Sequence, residues 1–362
     1  MLDTIYMTYG KNAETMTRAL LEKAEAAKAV PAGANVCLKP NLVVAKAPDS
    51  GATTHAGVLA GAIGYFYDCG IKDVSVIEGS WVGDSTRRAF VAAGYDEVAR
   101  RFGVKLYDLK ADETRAIETK IGPIKVCRRA LEAGFLINLP VLKGHCQTVM
   151  TCAMKNLKGC IPDSEKRRFH SLGLIKPIAA LAAALTPRPH LTIVDGICGD
   201  LSFEEGGTPV PGNRMYLGRD VVALDALGCT LMGIETSDVP YIALAESWGA
   251  GLQDVKEIIE IGDPREAGAL PAKSGTVARL TRNVTQKDAC SACYAGVVHA
   301  LYRLDEQGLL ARAPKIAVGQ GMKGVPFDGI GSGRCCDCAK IKVPGCPPKA
   351  SDILAALLDN LR

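Results

Sequence analysis

Six of the chain's fourteen cysteines lie near its C-terminus, between Cys290 and Cys346. They occur as CSAC (290–293), RCCDC (334–338) and GCPP (345–348). A CxxC pair brings two sulfurs within reach of one metal ion or one cluster, and a Cys-Pro step commonly ends a cluster-binding run. The asymmetric spacing favours a 4Fe–4S cluster. A structural zinc ion held by four cysteines is the first alternative, and plain buried thiols are the second.

Four of these cysteines are expected to bind the metal. Cys290, Cys293 and Cys346 are the clearest choices. The fourth is Cys335, because its Gly-x-Cys context places it at the edge of a turn. Cys338 is the alternate fourth ligand and Cys336 comes third.

A second polar stretch, residues 142–162, reads LKGHCQTVMTCAMKNLKGCIP. Lysines and a histidine near a helix start suit a bound anion, such as a phosphate or a carboxylate. Thr148, Thr151 and Lys155 have the spacing of one helical face. His145 is the best acid–base candidate, because an ordinary imidazole titrates near neutral pH. The expected catalytic residues are His145, Lys143 and Lys155. The alternative is a solvated helix with basic ends.

Polar residues also follow several apolar runs that resemble strands. Lys39-Pro40-Asn41 ends one run, Glu78-Gly79-Ser80 ends another, and Asp195-Gly196 ends a third. Ligands of α/β proteins bind where the carboxyl ends of parallel strands meet. Each group alone fits a turn or a helix cap, but several in series favour a site. The expected substrate-binding residues are Lys39, Asn41, Glu78, Thr148, Asn156 and Asp195. Residues 204–207 (EEGG) are expected to form a surface turn, with a loop over the site as the alternative.

Short apolar runs alternate with helical patterns through most of the chain. Strands are predicted at residues 4–8, 35–39, 73–78, 104–108, 135–139 and 191–195, and helices at 13–29, 54–69 and 84–93. This alternation indicates an α/β fold with a mixed, mostly parallel sheet and helices on both faces. Composition changes beyond residue 270, so we expect a core domain over residues 1–265 and a small cysteine-rich iron–sulfur domain over 266–362.

The composition is that of an ordinary globular enzyme, with 48% hydrophobic and 23% charged residues. The net charge of +4 comes without a basic run, which argues against nucleic acid binding. The N-terminus lacks a signal-peptide pattern, and the most apolar window, residues 177–185, is far shorter than the roughly twenty residues of a membrane span. We therefore expect a cytoplasmic protein whose cysteines are thiols and metal ligands. Walker A and dinucleotide-binding glycine motifs are missing from the sequence, so ATP and NAD are not expected.

Several stretches resemble the family called domain of unknown function 362. They are LKPNLV at 38–43, VIEGS at 76–80, LKGHCQTVMTCAMKNLKGCIP at 142–162, IVDGI at 193–197 and GRDVVALDALG at 218–228. The resemblance covers residues 36–249, and its KGH…KNLKG segment is specific. It implies a bacterial or archaeal protein, often from an anaerobe, with a 4Fe–4S module after the core. The spacing of the cysteines departs from the tight CxxCxxC run of ferredoxin-like members, so a cluster is implied but ferredoxin geometry is not.

The family core is also distantly similar to the N-terminal part of lactate racemase. This similarity implies an α-hydroxy-acid-like ligand and a Lys/His acid–base pair. We therefore expect an iron–sulfur protein that acts as a redox or acid–base enzyme, such as a 4Fe–4S-dependent oxidoreductase, on a small anionic substrate. The alternatives are a non-catalytic electron carrier or redox sensor with a redox partner protein, and a zinc-stabilised binding module. Neither nucleic acid nor a membrane is expected as a partner.

Overall fold

The computed structural model describes residues 4–200, 204–206, 209–268 and 276–361. The chain forms two compact units, one of Met1–Lys166 and Ile175–Lys273, the other of Arg167–Leu174 and Ser274–Arg362. The strands are β1 (Thr4–Tyr9), β2 (Val36–Pro40), β3 (Val74–Glu78), β4 (Lys105–Asp108), β5 (Thr114–Ile117), β6 (Ile124–Cys127), β7 (Phe135–Leu139), β8 (Lys143–His145), β9 (Val149–Thr151), β10 (His190–Asp200), β11 (Pro209–Gly218), β12 (Glu257–Ile261), β13 (Val284–Gln286), β14 (Ile316–Val318), β15 (Phe327–Ser332) and β16 (Ala339–Val343). The helices are α1 (Ala13–Lys23), α2 (Ala56–Asp68), α3 (Thr86–Ala92), α4 (Tyr95–Phe102), α5 (Arg128–Glu132), α6 (Ala153–Asn156), α7 (Asp163–Ser171), α8 (Ile175–Leu185), α9 (Val221–Leu231), α10 (Tyr241–Ser247), α11 (Thr276–Leu280), α12 (Ser291–Glu306) and α13 (Ala350–Leu358).

The first unit is built on an eight-stranded sheet in the order β12-β1-β11-β10-β7-β2-β3-β4. Only β11 runs antiparallel to its neighbours, β1 and β10, among the pairs of this sheet. The predicted α/β fold with a mixed, mostly parallel sheet is therefore confirmed. Parallel order places the carboxyl ends of β2, β3 and β7 at one edge of the sheet.

Helices cover both faces of this sheet, because neighbouring residues of a strand point to opposite faces. Met215 on β11 belongs to a large buried apolar cluster that includes Leu20 of α1 and Val58 of α2. Its neighbour Tyr216 lies on the opposite face, where its hydroxyl donates a hydrogen bond to Leu224 O of α9 (3.4 Å). The helices that position the polar residues lie on this second face.

Two predicted helices differ from the structure at their ends. The predicted helix 13–29 is divided, because Glu25 adopts a left-handed backbone (φ 47°) and Ala26–Ala29 form a separate 3₁₀ turn. The predicted helix 84–93 begins later, at Thr86, since the Ser85 side chain caps it by accepting from Arg88 N (3.4 Å). The sequence around Glu25 contains no glycine or proline, so it did not predict this break in the helix.

The apolar window 177–185 lies in α8, whose side chains are largely buried. No helix in the described ranges combines the length and the apolar character that crossing a membrane requires.

The second unit contains a four-stranded parallel sheet in the order β13-β14-β15-β16. Its small buried cluster consists of Ala317, Met322 and Cys336. Helix α12 begins directly after Cys290, which is its N-terminal capping residue. Cys293 lies in the first turn of α12. The loops that follow β15 and β16 carry the remaining cysteines of the C-terminal group, Cys335, Cys336, Cys338 and Cys346.

Candidate functional site

Lys39 and Glu78, at the ends of β2 and β3, form a buried ion pair. Lys39 Nζ lies 2.7 Å from Glu78 Oε2. The same ammonium donates to Pro40 O (2.9 Å) and Asn156 Oδ1 (3.2 Å). These three acceptors take all three of its hydrogens. Gly159 closes over the pair, because a Cβ there would lie 2.1 Å from Glu78 Oε1. Lys39 and Glu78, which were predicted to bind substrate, thus pair with each other and stabilise the ends of their two strands.

Asn156 fastens the short helix α6 to the same strand ends. Its Nδ2 donates to Asn138 Oδ1 of β7 (2.9 Å), and Asn138 Nδ2 donates to Ala153 O (2.9 Å). The sequence analysis missed Asn138, although a lone asparagine in the apolar run FLINL signals a buried hydrogen-bonding role. The two asparagines position α6 and therefore Lys155, which it carries.

Residues 143–151 form a β-hairpin. Strand β8 pairs antiparallel with β9, with Lys143 opposite Thr151 and His145 opposite Val149. Val149 has a left-handed backbone (φ 67°), which a β-branched residue rarely adopts. This strain lies in the hairpin that carries two of the three predicted catalytic residues, Lys143 and His145.

The predicted helical face of Thr148, Thr151 and Lys155 is wrong, because the helix begins only at Ala153. The β-branched residues of the VMT run (149–151) favour a strand there. Thr148 Oγ1 donates to Met150 O inside the hairpin (3.2 Å). Thr151 and Lys155 nevertheless meet, since Lys155 Nζ donates to Thr151 Oγ1 (3.3 Å).

The turn of the hairpin fixes the ring of His145. Its Nδ1 accepts hydrogen bonds from the backbone N–H groups of Gln147 (3.0 Å) and Thr148 (3.2 Å). Because Nδ1 is an acceptor, this pattern assigns the ring hydrogen to Nε2. Nε2 lies 3.3 Å from Glu204 Oε1. Protonating Nδ1 would break both hydrogen bonds of the turn.

Glu204 lies at the centre of this group, although the sequence favoured a surface turn there and gave a loop over the site only as the alternative. Its side chain is buried, with 2% of the residue exposed. The backbone N–H of Cys146 donates to Glu204 Oε2 (3.2 Å), and the Cys146 thiol donates to Oε1 (3.3 Å). The predicted surface turn is therefore wrong for Glu204. Positions 146 and 204 are 58 residues apart along the chain, so no local sequence pattern predicts their contact.

Lys143 is buried and holds two other segments in place. Its Nζ donates to Asn41 Oδ1 (3.3 Å) and to Glu204 O (2.7 Å), and it also contacts Ala52 O. Burial, and after it the nearby charge of Lys155, lowers the pKa of Lys143 to about 7. Lys143 therefore positions the Glu204 segment, and Asn41 serves as its acceptor.

Lys155 differs from the other two lysines of the site. In the part of the chain that the structure describes, its Nζ donates one hydrogen bond, to Thr151 Oγ1, although an ammonium carries three hydrogens. Burial lowers the pKa of Lys155 to about 8, while the negative charge of Glu204 opposes this effect. Such an amine is able both to hold an anion and to exchange a proton near neutral pH.

Asp195, on β10, pairs with His55. Its Oδ2 accepts from His55 N (2.9 Å) and lies 2.8 Å from His55 Nδ1. Burial has the largest single effect on the pKa of His55 and lowers it, but the charges and hydrogen bonds of Asp195 and Asp49 together outweigh burial, so the pKa is raised overall. His55 immediately precedes α2. The pair therefore fixes the start of that helix, and His55 is a partner that the sequence analysis did not identify.

His145, Cys146 and Glu204 have the spacing of a metal site. One ligand atom from each lies within 4.8 Å of the other two. A metal bound to His145 Nε2 would require the ring hydrogen on Nδ1. Nδ1 accepts from two N–H donors of the hairpin, which would repel that hydrogen. The hydrogen bonds therefore fit a carboxylate surrounded by donors better than they fit a metal centre.

In the second unit, four cysteine thiols surround Cys293. Burial raises the pKa of Cys293 to about 12, and the charges of neighbouring thiolates raise it too, in the order Cys290, Cys346, Cys335 and Cys336. Gly333 is close as well, since a Cβ on it would lie 3.8 Å from Cys293 Sγ. Three segments of the chain thus bring the other three predicted ligands, Cys290, Cys335 and Cys346, within electrostatic range of Cys293.

The two remaining cysteines of this unit have further contacts of their own, although the Cys336 thiol also acts on Cys293. Cys336 is buried in the small apolar cluster, and its thiol donates to Ala317 O (3.3 Å). Cys338 is exposed. Among the three candidates of the RCCDC motif, Cys335 is the half-buried one, and its pKa is raised by burial and by Cys346. An all-sulfur donor set with glycines beside it fits an iron–sulfur cluster.

Residues 36–230 match the family described as Domain of unknown function (DUF362). The chain belongs to this family. The matched range contains the whole Lys143–His145–Lys155–Glu204 group and ends before the cysteines of the second unit. The family relationship therefore concerns the core site and leaves the cysteine-rich unit outside it.

The chain is similar to a thylakoid-associated protein of Synechocystis sp., with 26% identity over 259 residues, which are 66% of this chain and 75% of that protein. Among solved structures it is similar to the lactate racemase apoprotein from Thermoanaerobacterium thermosaccharolyticum, with 12% identity and a TM-score of 0.43 over 63% of this chain and 57% of that one. It is also similar to a protein of Thermotoga maritima, with 14% identity and a TM-score of 0.43 over 62% of this chain and 60% of that one. The match spans less than two thirds of either solved structure.

Proposed function

We propose that this chain is an iron–sulfur enzyme that performs acid–base or redox chemistry on a small anionic substrate in its core unit. The observation that carries the proposal is Lys155, a half-buried ammonium with hydrogen-bond capacity left over within electrostatic range of Glu204 and Cys146. Titratable groups shifted towards neutral pH by burial and by specific charges are characteristic of active sites.

The residues of the site have different roles in this proposal. Lys155 contacts the anion and exchanges a proton with it. His145, held by the hairpin turn, presents its Nε2–H to the same space. Lys143 is a positioning residue, because its hydrogens are taken by Asn41, Ala52 and Glu204.

The cysteines of the second unit supply the second part of the proposal. Cys290, Cys293, Cys335 and Cys346 would hold a 4Fe–4S cluster, which supplies one-electron transfer when bound. A thiol-rich chain of this kind belongs in a reducing compartment such as the cytoplasm. Nucleic acid and membranes have no part in the proposal.

The core chemistry is tested by hydrogen exchange with solvent. We expect the protein in D₂O to introduce deuterium into at least one member of a panel of small organic anions, followed by NMR. Lys155→Gln and His145→Ala should abolish the exchange, because they remove the proton carrier and the N–H donor. The matched control is Lys158→Gln, a half-buried lysine of the same segment, which should retain it. Equal exchange by Lys155→Gln and wild type would refute the assigned role.

The cluster is tested by iron, acid-labile sulfide and the visible spectrum of protein purified without oxygen. We expect about four irons and four sulfides per chain, as a 4Fe–4S cluster requires. Cys293→Ser should lose them. Cys336→Ser is the matched control and should keep them, because that thiol bonds Ala317 O instead. One zinc and no visible absorbance would make the cysteine-rich unit a zinc-stabilised module.

A non-catalytic electron carrier or redox sensor is the second candidate, and the exposure of Cys346 favours it. A cluster with one ligand at the surface exchanges electrons readily with a redox partner protein. In that case the cluster would be reduced and reoxidised normally in the Lys155→Gln variant, and no organic anion would exchange deuterium in wild type.

A further inference from the structure

The carboxylate of Glu204 occupies a pocket made of hydrogen-bond donors. Oε2 receives the backbone N–H of Cys146 at 3.2 Å, and Oε1 receives its thiol at 3.3 Å. His145 Nε2, to which the turn assigns the ring hydrogen, lies 3.3 Å from Oε1. None of these three donors carries a fixed charge. They are nevertheless directed at a buried carboxylate, which is costly to bury without compensation.

The backbone around Glu204 is held independently of its carboxylate. Lys143 Nζ donates to Glu204 O (2.7 Å), and Lys46 Nζ donates to Glu205 O (2.8 Å). Gly206 has a left-handed backbone (φ +72°) and packs so closely that a Cβ would lie 2.3 Å from Ser50 O. The main chain therefore keeps its contacts whether or not the Glu204 side chain fills the pocket.

We propose that the Glu204 carboxylate occupies the binding pocket of a substrate carboxylate, and that the substrate is a small organic acid that displaces this side chain. The inference rests on the proposed function and specifies its substrate class. The donors converge on two oxygens of a planar group, as a carboxylate requires. Lys155 lies within electrostatic range of Glu204, and its Nζ donates only to Thr151 Oγ1 among the described residues. The chain's own carboxylate thus serves as a competitor for the pocket.

Removing the competitor should open the pocket to a free carboxylate. The probe is sodium acetate, compared with sodium chloride at equal ionic strength, and binding is measured by calorimetry and by the thermal unfolding midpoint. If Glu204 fills the pocket nine-tenths of the time, Glu204→Ala should bind acetate about tenfold more tightly than wild type. Acetate should also raise the unfolding midpoint of Glu204→Ala saturably. Glu205→Ala, on the adjacent half-buried carboxylate, is the matched control and should behave like wild type.

Glu204→Gln is a second variant, which keeps the test informative if Glu204→Ala fails to fold. Its amide keeps the volume of the side chain but is a poorer acceptor for the same donors, so its acetate affinity should fall between those of wild type and Glu204→Ala. Acetate affinities that are equal in wild type and both Glu204 variants would overturn the proposal. A second outcome would also overturn the proposal. If wild type binds Co²⁺ with a thiolate-to-metal absorption band, and Cys146→Ser abolishes that band, the pocket is a metal site and Glu204 is one of its ligands.

The result is separable from the test of the proposed function. Acetate binding requires no turnover, so deuterium exchange into a non-carboxylate anion with no acetate binding would overturn the substrate class alone. If acetate fails to bind and Lys155→Gln also leaves exchange unchanged, both the substrate class and the anion site are refuted.

Discussion

Asp225 on α9 is a buried carboxyl whose ionisation should be measurable as stability. It is completely buried, its Oδ1 accepts from Ala153 N (2.7 Å), and its Oδ2 has no hydrogen-bond partner within the described ranges. Burial raises the pKa of Asp225 to about 7, although the Cys152 thiol and the Ala153 and Met154 amides act to lower it. The ordinary pKa of aspartate is 3.8, so the folded chain retains this proton over about three more pH units than the unfolded chain.

The sign of the pH dependence follows from this difference. Between pH 4 and pH 7, unfolding releases the proton of Asp225, so rising pH favours the unfolded chain. The contribution of Asp225 to the free energy of unfolding falls by about 1.4 kcal/mol per pH unit in that range and is constant above it. The asparagine of Asp225→Asn does not titrate in this range, so this contribution is missing from the variant. Because the slope flattens as the pH approaches the folded pKa of about 7, the free energy of unfolding of Asp225→Asn should rise by about 2 kcal/mol relative to wild type between pH 5 and pH 7.

Urea unfolding at pH 5, 6 and 7, followed by tryptophan fluorescence, measures this difference. Both tryptophans, Trp81 and Trp248, belong to the first unit, which also contains Asp225. Asp254→Asn, at an exposed carboxyl of the same unit, is the matched control. The offset caused by the changed side-chain contacts is independent of pH and does not enter the slope. A difference between Asp225→Asn and wild type that stays constant within about 0.5 kcal/mol would refute the reasoning.

Two further predictions concern groups already paired in the structure. Lys39→Met should lower the free energy of unfolding by about 3–5 kcal/mol, because Glu78 is left buried without its counter-charge. The double variant with Glu78→Gln should cost less than the sum of the two single variants in the same urea assay, and strictly additive costs would contradict the pairing. Gln320 Nε2 donates to Cys290 Sγ (3.6 Å) in the second unit. Gln320→Leu should lower the midpoint potential of the cluster by on the order of 50 mV, the equivalent of about one hydrogen bond. If a redox titration of the cluster-loaded protein gives the same potential for Gln320→Leu and wild type, the hydrogen bond to Cys290 Sγ does not tune the cluster.

The sequence predicted six of the eight strands of the large sheet, because those six are short apolar runs, but it did not predict β11 or β12. FLINL (135–139) and the run before Lys39 are buried on both sides, which is typical of parallel strands. The hairpin at 143–151 was missed because threonines and a lysine at helical spacing compete there with β-branched residues. The left-handed Val149 shows that the turn is imposed by contacts of the folded chain, which local propensity does not encode.

The sequence identified the polar residues of the site more reliably than their partners. Lys39 and Glu78 were predicted to lie at strand ends, and they do, but the sequence could not show that they bind each other. Glu204 was taken as part of a surface turn, because two glutamates before glycine are typical of one. Its burial depends on donors at positions 145 and 146, and a contact between such distant positions leaves no trace in local composition.

The buried charges of the core fall into two classes, and the difference locates the chemistry. The paired groups are Lys39–Glu78 and His55–Asp195, with closest contacts of 2.7 and 2.8 Å. An ion pair that is satisfied internally stabilises the positions of strands and helices and leaves nothing for a ligand. Lys155 keeps unused hydrogens, and Glu204 is held by an amide, a thiol and an imidazole without a fixed charge. Such burial costs stability, and a folded chain retains that cost where it serves a site. The substrate should therefore be sought at the hairpin 143–151. The strand-end motifs KPN (39–41) and EGS (78–80) stabilise the part of the fold that positions this hairpin.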